Sequence, residues 1–175
     1  METKPMTSSR AAEGKRASIV GICCNLSLFL AKLLAGLLSG SLSVAADAFN
    51  NMSDASSSLI SLLGFKLGEK PADPEHPYGH GRYEYLAGLC VSALIMVVGI
   101  ELLKSSAARI ITPEPVDFTL LTAAILVLSI AVKAGMMVFY LRVGRRIDSQ
   151  TLVAAAADSR NDVLTTGCVL AGAIL

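Results

Sequence analysis

Charge is scarce in this sequence. Of its 175 residues, 17% are Asp, Glu, Lys or Arg, against 53% hydrophobic. With a mean hydropathy of +0.60, that balance excludes an ordinary soluble domain and points to the membrane class. Neither sign dominates: 15 Lys and Arg face 14 Asp and Glu, a net charge of +1, so no nucleic-acid-binding surface is implied. Cysteine is sparse too. Cys23, Cys24, Cys90 and Cys168 lie in apolar segments without CxxC spacing; they read as buried small hydrophobes, not as soft-metal ligands or a disulfide framework. Residues 1–16 are mostly polar and precede the first apolar run, which argues against a secretory signal.

What is present is a set of long apolar segments. About 20 helical residues cross a hydrocarbon core of roughly 30 Å. Five stretches meet that length, at about 17–39, 42–66, 84–108, 117–141 and 150–175. The expected fold is an all-α membrane protein, a bundle of five transmembrane helices behind a tail of residues 1–16. The tight "SGS" makes the first two spans an antiparallel pair, and Gly36 and Gly40 form a GxxxG that suits close packing there. The Pro- and Gly-rich "GEKPADPEHPYGHGRYE" is a loop, and "TPEPVD" and "RVGRRIDS" separate the later spans. Lys4, Arg10, Lys15, Arg16, Lys66, Lys70, Arg82, Arg142, Arg145 and Arg146 fall on one side, against Lys104 and Arg109 on the other. By the positive-inside rule the N-terminus and the second loop are cytoplasmic. Five spans leave the C-terminus outside, and apolar sequence runs to Leu175; a longer natural protein is expected.

Ionisable residues inside spans are costly and default to functional hypotheses. Span two carries Asp47, Asn50 and Asp54 in "VAADAFNNMSD", on one helical face, with Asn51 turned about 100° away. Span five carries Asp158 and Asp162, again four apart. Counting about 1.5 Å of rise per residue puts Asn50 about 12 Å and Asp54 about 18 Å below the outer face. The same count puts Asp162 at about 12 Å and Asp158 at about 18 Å from that face. Antiparallel packing would then bring Asp54 to Asp158 and Asn50 to Asp162. Three carboxylates so close cannot all remain ionised without a compensating charge. A divalent cation supplies it in one state and protons in another. The bland alternative, interhelical hydrogen bonding, accounts for Asn50 but poorly for three acids. Arg160 sits about 200° round the helix from Asp158, away from the acidic face. The sequons at Asn25 and Asn51 lie inside spans and are dismissed.

The loop "PADPEHPYGHGRYE" holds both histidines, His76 and His80, with Asp73 at matching spacing. Carboxylate and imidazole could converge there on a divalent ion. A plain surface turn with solvated histidines is the equal alternative.

Taken together, "SGSLSVAADAFNNMSD", "HPYGHGRYE" and "AAAADSRNDVLTT" resemble the cation diffusion facilitator family of divalent-metal/proton antiporters, from about Gly14 to the end. The resemblance implies six spans, a cytoplasmic C-terminal metal-binding domain absent here, a homodimer, and an integral multi-pass protein (of the plasma or inner membrane, if bacterial). It implies a transport site at Asn50, Asp54, Asp158 and Asp162, and a loop site at Asp73, His76 and His80. Asp47 and Glu84 are secondary candidates. No prosthetic group is implied, and no catalysis. The all-oxygen quartet is similar to that of the family's manganese-exporting branch, because oxygen ligands suit harder ions while imidazole favours zinc. Mn²⁺ is therefore the preferred cargo, with Zn²⁺, Fe²⁺ and Co²⁺ as alternatives. Two other classes compete: an intramembrane aspartyl protease, whose motif contexts are missing, and a truncated paralogue that binds metal or regulates an intact transporter.

Overall fold

The computed structural model describes residues 8–39, 42–111 and 120–174, so Gly40 of the GxxxG lies outside the described residues. All the regular structure in them is helical: α1 (Ser8–Ser39), α2 (Leu42–Gly68), α3 (Arg82–Ile111), α4 (Leu120–Arg146) and α5 (Gln150–Ile174). The protein is an all-α membrane protein. Local sequence explains the boundaries. α2 stops at Gly68, and Pro71, Pro74 and Pro77 keep the following segment out of helix. Gly79 adopts φ 76° in that loop, a conformation that a side chain would strain. Between α4 and α5, Asp148 takes φ 53° to reverse the chain. Ser149 then caps α5, its Oγ accepting the Leu152 N–H at 3.4 Å.

The helix pairings close a ring. α1 packs most extensively on α2, α2 on α3, α3 on α5, α5 on α4 and α4 back on α1, while α2 and α5 also meet across it. Its polarity is inverted relative to a soluble bundle. Asn25, Asn51, Ser57, Ser58, Ser61, Ser129 and Ser159 are buried, while Leu34, Leu37, Leu38, Leu89, Met96 and Leu103 are exposed. In lipid the apolar medium lies outside, so polar side chains find their partners between helices. The same inversion corrects the reading of the cysteines. Cys23, Cys90 and Cys168 are exposed and Cys24 is half-buried, because a small hydrophobe in a membrane bundle gains nothing by being inside.

Among the described residues three helices, α1, α3 and α4, are long and apolar enough to cross a membrane. α2 and α5 fall short of that measure because they carry the acidic and hydroxyl residues of the ring interior.

Two boundaries differ most from the sequence expectation. α1 begins at Ser8 and not near residue 17, because its polar first turns find partners. Lys15 pairs with Glu69 at 2.5 Å, and Glu13 with Arg146 at 3.3 Å. Arg10 reaches Glu84 at 2.7 Å and donates to the carbonyls of Ile147 at 2.6 Å and Asp148 at 3.0 Å. α4 continues through "RVGRR" to Arg146, since arginines favour helix and extend past an apolar span to its polar edge. The start of α1, the α2–α3 loop and the α4–α5 turn thus share one end of the bundle, the loop end. A core of Ala17, Phe65, Met136, Tyr140, Val143, Ile147, Leu152 and Ala156 ties α1, α2, α4 and α5 together.

Candidate metal centres

The first cluster lies inside the ring. Asn50 and Asp54 project from α2 one turn apart, and Asp158 and Asp162 from α5 with the same spacing. Asn50 Nδ2 donates to Asp162 Oδ1 at 3.5 Å. One carboxylate oxygen each from Asp54, Asp158 and Asp162 lies within 4.8 Å of the others. This is the cross-bundle pairing that the depth count gives. Asp54 is 7% exposed, and the two α5 acids are half-buried.

A cation from a third helix stands among them. Lys133 of α4, 4% exposed, places Nζ 2.5 Å from Asp54 Oδ2 and 2.6 Å from Asp162 Oδ2. The sequence reading leaves this residue out, although its signal is plain: a lysine in the middle of the apolar run "LSIAVKAGMM". The expectation that a metal or protons alone compensate the three acids is corrected accordingly, since one ammonium already does part of that work. Lys32 of α1 is the second omission. It pairs with Asp47 at 2.7 Å, and Asp47 is not among the acids gathered with Asp54 despite its place on the same face of α2. Arg160 is exposed.

The second cluster sits in the α2–α3 loop. Asp73, His76 and His80 each offer a ligand atom within 4.8 Å of the others. Asp73 Oδ1 accepts the His76 backbone N–H at 2.6 Å and faces its Nδ1 at 3.1 Å. His80 is buried, stacked on Tyr83 with centroids 5.7 Å apart, and its Nδ1 lies 3.1 Å from the Pro71 carbonyl. A carbonyl can only accept, so Nδ1 is the donor in that contact and Nε2 is the ring nitrogen left for another partner. Nε2 faces Asp73 Oδ2 at 3.5 Å. A carboxylate oxygen and an imidazole nitrogen turned toward each other are the donor types that a divalent ion takes. Neighbouring loop atoms desolvate the Asp73 carboxyl and push it up. The His76 backbone N–H and the two imidazoles outweigh that effect and hold it below its ordinary value. Glu84 belongs to neither cluster; it is buried against Arg10.

The cation efflux transmembrane domain family matches residues 18–175, most of the chain. The chain belongs to the cation efflux family, the cation diffusion facilitators. Three curated relatives agree. The chain is 34% identical over 160 residues to the manganese efflux system protein MneS of Bacillus subtilis, covering 88% of this chain and 53% of that protein. It is 31% identical over 161 residues to the cation-efflux pump FieF of Shewanella oneidensis, covering 92% and 54%. An uncharacterised transporter of Methanocaldococcus jannaschii is 34% identical over 163 residues, covering 93% and 58%. The chain therefore spans a little over half the length of these relatives. The family and these relatives are transporters and not enzymes, which removes the protease alternative. In this cation efflux domain both clusters lie on the elements that the sequence motifs mark, and the lysine between α2 and α5 comes from outside those motifs.

Proposed function

We propose that this chain carries a divalent metal cation out of the cytoplasm in exchange for protons, with Mn²⁺ as the preferred cargo. The observation that carries the reading is the group of Asn50, Asp54, Asp158 and Asp162 gathered inside a ring whose outer face is apolar. Such a donor set is all oxygen and suits a hard ion better than a soft one. The name of the Bacillus subtilis relative as a manganese efflux protein supports the same choice. Three carboxylates and one ammonium, all ionised, leave two uncompensated negative charges. One divalent ion or two protons match that deficit, and exchange of one for the other keeps the membrane interior near neutrality.

In this reading the loop end faces the cytoplasm, where its basic residues belong. Asp73, His76 and His80 capture a metal there before or beside the transport step, and two copies of the chain act as a homodimer. The test is metal-driven proton movement in proteoliposomes with Mn²⁺, Zn²⁺, Fe²⁺ and Co²⁺, for this chain and for a form extended to any natural C-terminus. Flux led by Mn²⁺ supports the whole reading. Flux led by Zn²⁺ keeps the site and discards the choice of cargo. Absence of flux with every ion from both forms overturns the transport reading.

A further inference from the structure

We propose that Lys133 is the resident cation of the acidic cluster, and that a metal enters by displacing its ammonium. The inference rests on the reading of that cluster as the transport site. Nζ bridges Asp54 Oδ2 and Asp162 Oδ2 at 2.5 and 2.6 Å, one acid from each of the two helices that the site joins. A divalent ion bonded to the same two oxygens, at about 2.1 Å, would sit against a like-charged nitrogen in a weakly screening interior. One of the two cations has to leave that bridge.

Lysine suits the exchange better than arginine. Its charge is a point on a flexible four-carbon stem, whereas a guanidinium would lock both carboxylates in a planar fork. The structure also offers the ammonium somewhere to go. Ser129 lies one turn before Lys133 on the same face of α4, is 1% exposed, and its hydroxyl has no hydrogen-bond partner. Helical side chains lean toward the preceding turn, so the lysine stem already runs in that direction. Retracted toward Ser129, the ammonium stays near enough to complete the charge count: two positive charges on the metal and one on lysine against three carboxylates.

Two consequences follow. The empty site is held together without a bound ion, because Lys133 keeps α2 and α5 from repelling each other. The site also selects by valence. A monovalent ion replaces one positive charge with another and forfeits two charge-assisted hydrogen bonds, whereas a divalent ion brings a charge more than it displaces.

The experiment is a Mn²⁺ titration of the full chain in nanodiscs, with the loop cluster silenced by His76→Ala and His80→Ala. Lys133→Met should bind Mn²⁺ at least about tenfold more tightly than the parent. Lys133→Gln is the second variant, should the first fail to fold. Lys133→Arg, which retains the competitor, should bind no more tightly than the parent, and Ser129→Ala should bind about threefold more weakly. A structure of the Mn²⁺-loaded chain should show Nζ more than about 4 Å from both Asp54 Oδ2 and Asp162 Oδ2, a movement that a merely structural lysine would not make. Affinity unchanged in Lys133→Met and Lys133→Gln, or a lysine still bridging both oxygens beside bound metal, overturns the proposal. Asp158→Asn separates the two levels. Loss of binding there alongside an inert Lys133→Met sinks the displacement idea alone. Undiminished binding there sinks the site reading and this inference with it.

Discussion

The acidic cluster between α2, α4 and α5 and the histidine cluster of the α2–α3 loop face one electrostatic problem, convergent donor side chains whose charge has to be balanced, in opposite surroundings. Inside the ring, desolvation makes uncompensated carboxylates costly, and the fold answers with a covalently attached cation, Lys133, drawn from a third helix. In the loop, Asp73 and His76 are exposed. Water and the His76 backbone N–H suffice to hold the carboxylate there, with no lysine or arginine paired to Asp73 among the described residues. The difference teaches that burial, more than ligand count, decides whether a candidate metal site needs a built-in counter-ion. It also separates their chemistry: oxygen donors in the ring suit a hard ion, and two imidazoles in the loop favour zinc-like ions.

The sharpest way to break this comparison is to remove charge from the ring. Asp158→Ala or Asp54→Ala is expected to reduce metal-driven proton flux in proteoliposomes at least about a hundredfold, a loss of roughly 2.7 kcal/mol or more in transition-state terms. Flux within a few-fold of the parent would show that the buried cluster does not carry the cargo. Next in size is the loop. His80→Ala should lower the number of Zn²⁺ ions bound per chain by one, measured by equilibrium dialysis, while Mn²⁺ still binds in the ring. Loss of both ions together would mean that the two clusters are one functional unit.

pH sharpens the contrast further. Histidine ligands must be deprotonated to bind metal, so loop affinity should fall as the solution is acidified. Asp73 adds little to that fall. Its folded value is depressed, so its contribution to loop order is fully present above the ordinary aspartate value of about 3.9 and is lost only as pH falls through the lower folded value. Loop metal affinity should fall on acidification from about pH 7, and Asp73→Asn should weaken Zn²⁺ binding by the loop at about pH 7, measured by equilibrium dialysis. Affinity in Asp73→Asn equal to that of the parent would contradict a ligand role for Asp73.

The smallest effect concerns the scaffold. Ser149→Ala removes the N-cap of α5, the helix that carries Asp158 and Asp162, and should cost about 1 kcal/mol in thermal or denaturant unfolding. Cys168→Ala, on an exposed position of the same helix, should change neither stability nor flux measurably.

The five helices were legible because hydropathy and turn residues mark them directly: Gly68 and three prolines after α2, and Asp148 and Ser149 before α5. The convergence of Asn50, Asp54, Asp158 and Asp162 was legible because i,i+4 spacing and depth are one-dimensional quantities. Lys133 and Lys32 were not placed by that reasoning. Periodicity relates residues on one helix, and depth relates two, but neither says which third helix turns inward. Asp47 shows the limit well. It shares the α2 face with Asn50 and Asp54, yet it pairs with Lys32 of α1 and lies outside the acid group. The extended start of α1 was hidden for a similar reason, since its polar turns are held by Glu84, Glu69 and Arg146, partners at least 54 residues away.

The central claim is that the buried oxygen cluster, and not the histidine loop, carries the transported cation. The most direct test compares Mn²⁺-driven proton flux in proteoliposomes for the parent, Asp158→Asn and His80→Ala, in a form extended to any natural C-terminus. The account predicts no flux above background in Asp158→Asn and measurable, Mn²⁺-dependent flux in His80→Ala. Flux retained in Asp158→Asn and lost in His80→Ala would contradict it.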